Sequence, residues 1–126
     1  MKDKSKKTVL IIDDSRAVTE TLSAIFTMKG YEVISARNGV EGVEFAKRHK
    51  PNLILLDLML PKLSGFDVCK IIRSDNSIWK TPIVVISTLG GDPEKVDRAK
   101  SMGVDHFISK PYDIEKIVEE SLKFIR

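Results

Sequence analysis

Cysteine and histidine are scarce in this chain: one Cys and two His in 126 residues. A single thiol, Cys69, cannot form an internal disulfide, and two histidines do not make a cluster at zinc-ligand spacing, so neither staple is expected to hold the fold. Long apolar runs are missing too. No stretch approaches the roughly 18 consecutive apolar residues of a membrane span, and residues 1–7 are polar and lysine-rich where a signal peptide would be apolar. A soluble, cytoplasmic protein with no membrane partner is the expectation. Proline and glycine show no linker, low-complexity tract or repeat, and Gly90-Gly91 marks a loop rather than a boundary. Basic residues interleaved with aromatics, zinc-finger spacing and a helix-turn-helix pattern are likewise lacking, which argues against direct nucleic-acid binding. The formal charge of +3 owes much to Lys2, Lys4, Lys6 and Lys7. Without them the balance is close to neutral, so residues 1–7 read as a basic tail and 8–126 as one domain.

With 42% hydrophobic and 31% charged residues, the chain has enough apolar material for one ordinary core. Apolar runs of strand length recur at 9–12, 31–36, 53–56 and 83–86, with a shorter one at 107–108. Three are continuous rather than alternating, the pattern of strands covered on both faces by helices. Val18, Leu22, Ile25 and Phe26 share one helical face between Ser15, a cap, and Gly30, a stop. Ile114, Ile117, Val118, Leu122 and Ile125 repeat that geometry after Asp113. Further helices are expected over 39–50 after Asn38, 65–75 after Ser64 and 93–102 after Asp92, with Pro93 in a permissible first-turn place. The order is βα five times. It predicts a doubly wound α/β domain with a parallel sheet.

In such sheets the site forms beyond the carboxyl ends of the strands. The first run ends in Asp13-Asp14, the third in Asp57 and the fourth in Ser87-Thr88; Lys110-Pro111 follows the fifth. With strand order 2-1-3-4-5 the first and third strands are neighbours, and three carboxylates meet. Like charges so close repel, and an oxygen-only donor set suits Mg²⁺. A hydroxyl at Ser87 and a cation at Lys110 complete a set suited to phosphoryl transfer, in which Asp57, lying centrally, is the best nucleophile. Each part alone has a plainer reading as cap, turn or core residue. Asp14 as a helix cap would explain one carboxylate, but not the pair beside Asp57.

These residues resemble the receiver (CheY-like) family of response regulators along nearly the whole chain, in Val9-Leu-Ile-Ile-Asp-Asp-Ser15, Asp57-Leu-Met-Leu-Pro61 with Gly65, Pro82-Ile-Val-Val-Ile-Ser87 and Phe107-Ile-Ser-Lys-Pro111. The strand order 2-1-3-4-5 is the known CheY order. The resemblance implies a phosphorelay module in which Asp57 is the phosphoacceptor. It makes Asp14 a direct Mg²⁺ ligand, Asp13 a ligand through water or a supporting group, and Met59 a donor through its backbone carbonyl. Lys110 would pair with a phosphoryl oxygen across a cis Lys110-Pro111 bond. Ser87 and Phe107 would form the switch, although a Phe in a buried strand is more often plain core.

The implied partners are a histidine kinase or histidine phosphotransfer protein and a downstream protein on the face of the fourth helix, fifth strand and fifth helix. The domain would catalyse only its own phosphorylation and dephosphorylation. Thr88, larger than its counterpart in many relatives, would narrow access to the phosphoryl group, and 89–93 reads as a slightly long loop. His106 and Glu120 stand where dimerising relatives carry an acid and an arginine, so a monomer is expected. A haloacid-dehalogenase phosphatase needs Asp-x-Asp after the first strand, and an FMN carrier needs a Ser/Thr/Gly-rich loop there. Neither fits Asp13-Asp14-Ser15. The remaining alternative is a receiver-like module that binds proteins without phosphorylation.

Overall fold

The structure is a computed structural model, and it describes residues 6–87, 93–109 and 113–126. Five strands, β1 (Thr8–Ile12), β2 (Glu32–Ala36), β3 (Leu53–Leu56), β4 (Ile83–Ser87) and β5 (His106–Ser109), form a parallel sheet of order β2-β1-β3-β4-β5. Between and after them run α1 (Arg16–Met28), α2 (Gly39–His49), α3 (Gly65–Arg73), α4 (Pro93–Ser101) and α5 (Ile114–Ser121).

The continuous apolar strands follow from burial on both faces. Successive strand residues point to opposite sides. Val9, Ile11, Leu53, Leu55, Val84 and Ile86 meet Leu22 and Phe26 of α1 and Ile117 and Val118 of α5. Leu10, Ile12, Ile54, Leu56 and Val85 meet Ala46 of α2, Val68, Cys69 and Ile72 of α3, and Ala99 of α4. β1 and β3 are fully buried. One consequence concerns Cys69. Burial pushes its thiol up to about 12, and only the thiolate is nucleophilic. A thiol reagent at neutral pH should therefore leave the native protein unlabelled and react once urea unfolds it; rapid labelling of the folded protein would contradict this packing.

Capping follows the expected residues. The side chains of Ser15, Asn38, Ser64 and Asp113 each accept a backbone N–H in the first turn of the helix that follows. Helix ends differ slightly from expectation. α3 stops at Arg73 because Asp75 turns the chain, its Oδ1 accepting the Ser77 N–H at 2.8 Å. α5 stops at Ser121, short of Ile125, in a tighter turn where the Lys123 and Phe124 N–H groups donate to the Glu120 and Ser121 carbonyls at 3.3 and 3.0 Å, after which the Arg126 N–H reaches the Asn52 carbonyl at 3.2 Å. The expected Asp92 cap lies outside the described residues.

Arg73, at the end of α3, ties the far side of the sheet together. Its guanidinium donates to the carbonyls of Gly103 (2.9 Å), Trp79 (2.8 Å) and Thr81 (2.6 Å) and to Asp105 Oδ2 at 3.0 Å. That same carboxylate oxygen accepts the Ile83 N–H at 2.8 Å. The planar fork thus joins one helix to the loops that lead into β4 and β5.

Candidate functional site

Backbone pairing brings the acids together. Ile12 and Leu56 are register partners, so the residues after them lie side by side. The Asp57 N–H donates to the Ile12 carbonyl at 2.9 Å, and the Asp13 N–H to the Ala36 carbonyl at 3.1 Å. Each aspartate is therefore fixed at its backbone by a neighbouring strand. Side-chain bonds add orientation: Asp13 Oδ1 accepts the Ser15 N–H at 2.8 Å, and Asp57 Oδ1 accepts the Met59 N–H at 3.0 Å.

Asp13, Asp14 and Asp57 each present a carboxylate oxygen, and these lie within 4.8 Å of one another. Asp13 and Asp57 are only 4% and 6% exposed, while Asp14 is exposed. Mutual repulsion is therefore concentrated where water screens it poorly. A hard divalent cation relieves that repulsion. Oxygen-only donors, with the exposed Asp14 leaving the group open to water, fit an ion that keeps part of its hydration.

The chain after Asp57 is equally constrained. Lys62 adopts a left-handed φ of 68°, and the Gly65 N–H returns to the Leu58 carbonyl at 3.0 Å. The first turn of α3 thus rests on the strand end that carries Asp57.

A model of the response regulator receiver domain matches residues 9–121. The chain belongs to that family. It is 36% identical over 118 residues to the DNA-binding dual master transcriptional regulator RpaA of Synechocystis, covering 94% of this chain and 48% of RpaA. It is 31% identical over 115 residues to the polar-differentiation response regulator DivK of Brucella anthropi, covering 90% and 91% of the two chains. Among solved structures, the chemotaxis response regulator CheY4 of Vibrio cholerae superposes with a TM-score of 0.88 at 28% identity, over 95% of this chain and 99% of that one. This chain spans about half the length of RpaA and nearly all of DivK.

In this receiver domain the other candidate positions are distributed as follows. Ser87 ends β4, fully buried at 0% exposure, in register with Ser109 on β5. Phe107 is half-buried on β5, opposite Val85, against the core on the α2 and α3 side. Met59 has an exposed side chain and follows Asp57 by two residues. Lys110, Pro111, the bond between them and Thr88 lie outside the described residues. Among the described residues no helix is long and apolar enough to cross a membrane.

Two features were not read from the sequence. The Arg73 fork serves carbonyls 6, 8 and 30 residues away, and no local pattern marks such a role. His106 and Glu120, noted only as departures, pair with each other through Nε2 and Oε2 at 3.1 Å, and the imidazole stacks on Phe124 at 5.2 Å.

Proposed function

We propose that this receiver domain takes a phosphoryl group onto Asp57 in a Mg²⁺-dependent reaction, from a histidine kinase or histidine phosphotransfer protein. The observation that carries the reading is the convergence of three carboxylate oxygens within 4.8 Å at the adjoining ends of β1 and β3. Asp14, Asp57 and the Met59 carbonyl would hold the ion, with Asp13 supporting them. When bound, Mg²⁺ neutralises charge on the phosphoryl oxygens.

A carboxylate oxygen of Asp57 attacks phosphorus in line with the departing imidazole nitrogen; a P–O bond forms as the P–N bond breaks, and the imidazole regains a proton. Lys110 pairs with one phosphoryl oxygen, and the Ser87 hydroxyl donates to another. Phe107 follows Ser87 and alters the face of α4, β5 and α5, where a downstream protein binds. The His106–Glu120 pair supports a monomer, because both side chains already have a partner within the chain. The acylphosphate is the domain's own modified state, formed and lost at one site in the cytoplasm.

Variants test the assignment. With acetyl phosphate and Mg²⁺, Asp57→Asn should show no phosphoryl adduct by intact mass. Asp14→Asn should take up the group at least about tenfold more slowly at limiting Mg²⁺, since one charged oxygen ligand is lost. Uptake by Asp57→Asn at the unmutated rate would place the acceptor elsewhere.

A further inference from the structure

All five strands are parallel, so every loop that leads into a strand lies at the end of the sheet opposite Asp13, Asp14 and Asp57. Backbone bonds hold these loops in one layer: the Glu32 N–H donates to the Lys7 carbonyl at 2.9 Å, the Asn52 N–H to Thr8 at 2.8 Å and the Ile54 N–H to Pro82 at 2.9 Å.

This end is basic. Lys7 precedes β1, Lys29 precedes β2, Lys50 precedes β3 and Lys80 precedes β4, and all four are exposed. Two acids there are already engaged, Asp75 with Lys47 at 3.8 Å and Asp105 with Arg73 at 3.0 Å. Glu32, half-buried, is the remaining acid on these loops and strand starts among the described residues. The helix C-termini that point to this end favour cations, which accounts for Lys29 and Lys50, the C-cap residues of α1 and α2, but not for Lys7 and Lys80, which lie beyond any helix end.

Large apolar side chains accompany the charge. Met28, at the end of α1, is 85% exposed, and Trp79, in the loop before β4, is 50% exposed with the Lys80 ammonium 5.0 Å from its ring centre. α1 covers one face of the sheet and the Trp79 loop joins the helix layer of the other, so the two apolar groups flank the lysines.

We infer that this end of the domain is a docking surface for an anionic lipid bilayer, on which the lysines meet headgroup phosphates while Trp79 and Met28 enter the interface. Tryptophan beside lysine at a loop tip suits the bilayer boundary, where an amphipathic ring is half-wet. The charges, four lysines and the exposed Arg126 held to Asn52, are spread over a layer of loops, suited to diffuse lipid headgroups. A nucleic-acid surface would instead call for several stacking rings along the charged groove. The sequence reading expected no membrane partner because there is no apolar span, and a contact along the surface needs none. So docked, the domain holds its three aspartates facing away from the lipid.

Trp79 is the chain's one tryptophan, so its emission reports the contact directly. The full chain should sediment at low ionic strength with vesicles of phosphatidylglycerol and phosphatidylcholine, its emission shifting to the blue, and remain in solution with phosphatidylcholine alone. At about fivefold per lysine, the folded triple variant Lys7→Glu, Lys50→Glu, Lys80→Glu should bind about 100-fold more weakly. Trp79→Ala and Met28→Ala together should weaken binding while leaving its salt dependence in place. No binding to anionic vesicles, binding that the triple reversal leaves unchanged, or an unshifted Trp79 emission would overturn the inference. So would binding of a single-stranded oligonucleotide in preference to the vesicles.

Discussion

Gly65→Ala is expected to lower stability by about 1–2 kcal/mol and to slow phosphoryl uptake by about 100-fold. A Cβ at this position would lie 2.5 Å from the Asp57 carbonyl oxygen and 2.5 Å from the Leu58 Cα. Both obstacles are backbone atoms, which cannot swing aside. Alanine has the better helix propensity, by up to about 1 kcal/mol in a helix interior. That gain shrinks at the first residue of α3, so the overpacking, at about 1–3 kcal/mol, wins. Relief requires moving either α3 or the strand end, and the latter carries the proposed acceptor. An error of about 1 Å in a reacting group can cost about 100-fold. Urea unfolding and the rate of adduct formation measure the two effects separately. A variant as stable and as fast as the unmutated protein would show that this contact positions nothing.

Arg73→Ala should be the most destabilising of the charged-to-alanine substitutions among the described residues, at about 2–4 kcal/mol. Truncation removes four hydrogen bonds, takes the guanidinium from three carbonyls, and leaves the Asp105 carboxylate with the Ile83 N–H but without its counter-ion. Bonds from a charged donor contribute about 1.5–3 kcal/mol each when buried. The side chain is 20% exposed and Asp105 is 40% exposed, so water replaces part of the loss and the simple sum is too large. A fall in Tm of about 10 °C is expected for a domain of this length. Arg73→Lys should recover less than half, because an ammonium cannot reach in several directions from one plane. A melting temperature unchanged in the alanine variant would mean that the loops into β4 and β5 are held by the sheet alone.

The contrast between Asp57 and Arg73 shows what the sequence can carry. Asp57 was legible because strand periodicity fixes where a run ends, and the ends of parallel runs converge whatever the helices do. The same logic located Asp13, Asp14 and Ser87. Receiver motifs then supplied roles that no spacing could, such as that of Phe107, whose half-buried place on β5 equally suits a core residue. Arg73 was invisible because its partners belong to loops joined only by tertiary folding. The end of α5 was misjudged for a different reason. Ile125 keeps the helical spacing, yet the chain has already tightened into a turn in which Lys123 and Phe124 bond back three residues, to Glu120 and Ser121. The basic end opposite the site was missed in another way, since lysines in separate loops look like scattered surface charge until a parallel sheet places their loops together.

The most direct test of the central claim is the intact mass of the unmutated protein after incubation with acetyl phosphate, with and without Mg²⁺, followed by mapping of any adduct to its residue. One phosphoryl group per chain, dependent on Mg²⁺ and located on Asp57, is the predicted result. A folded protein that gains no mass, or gains it without Mg²⁺ or on another residue, would contradict the account.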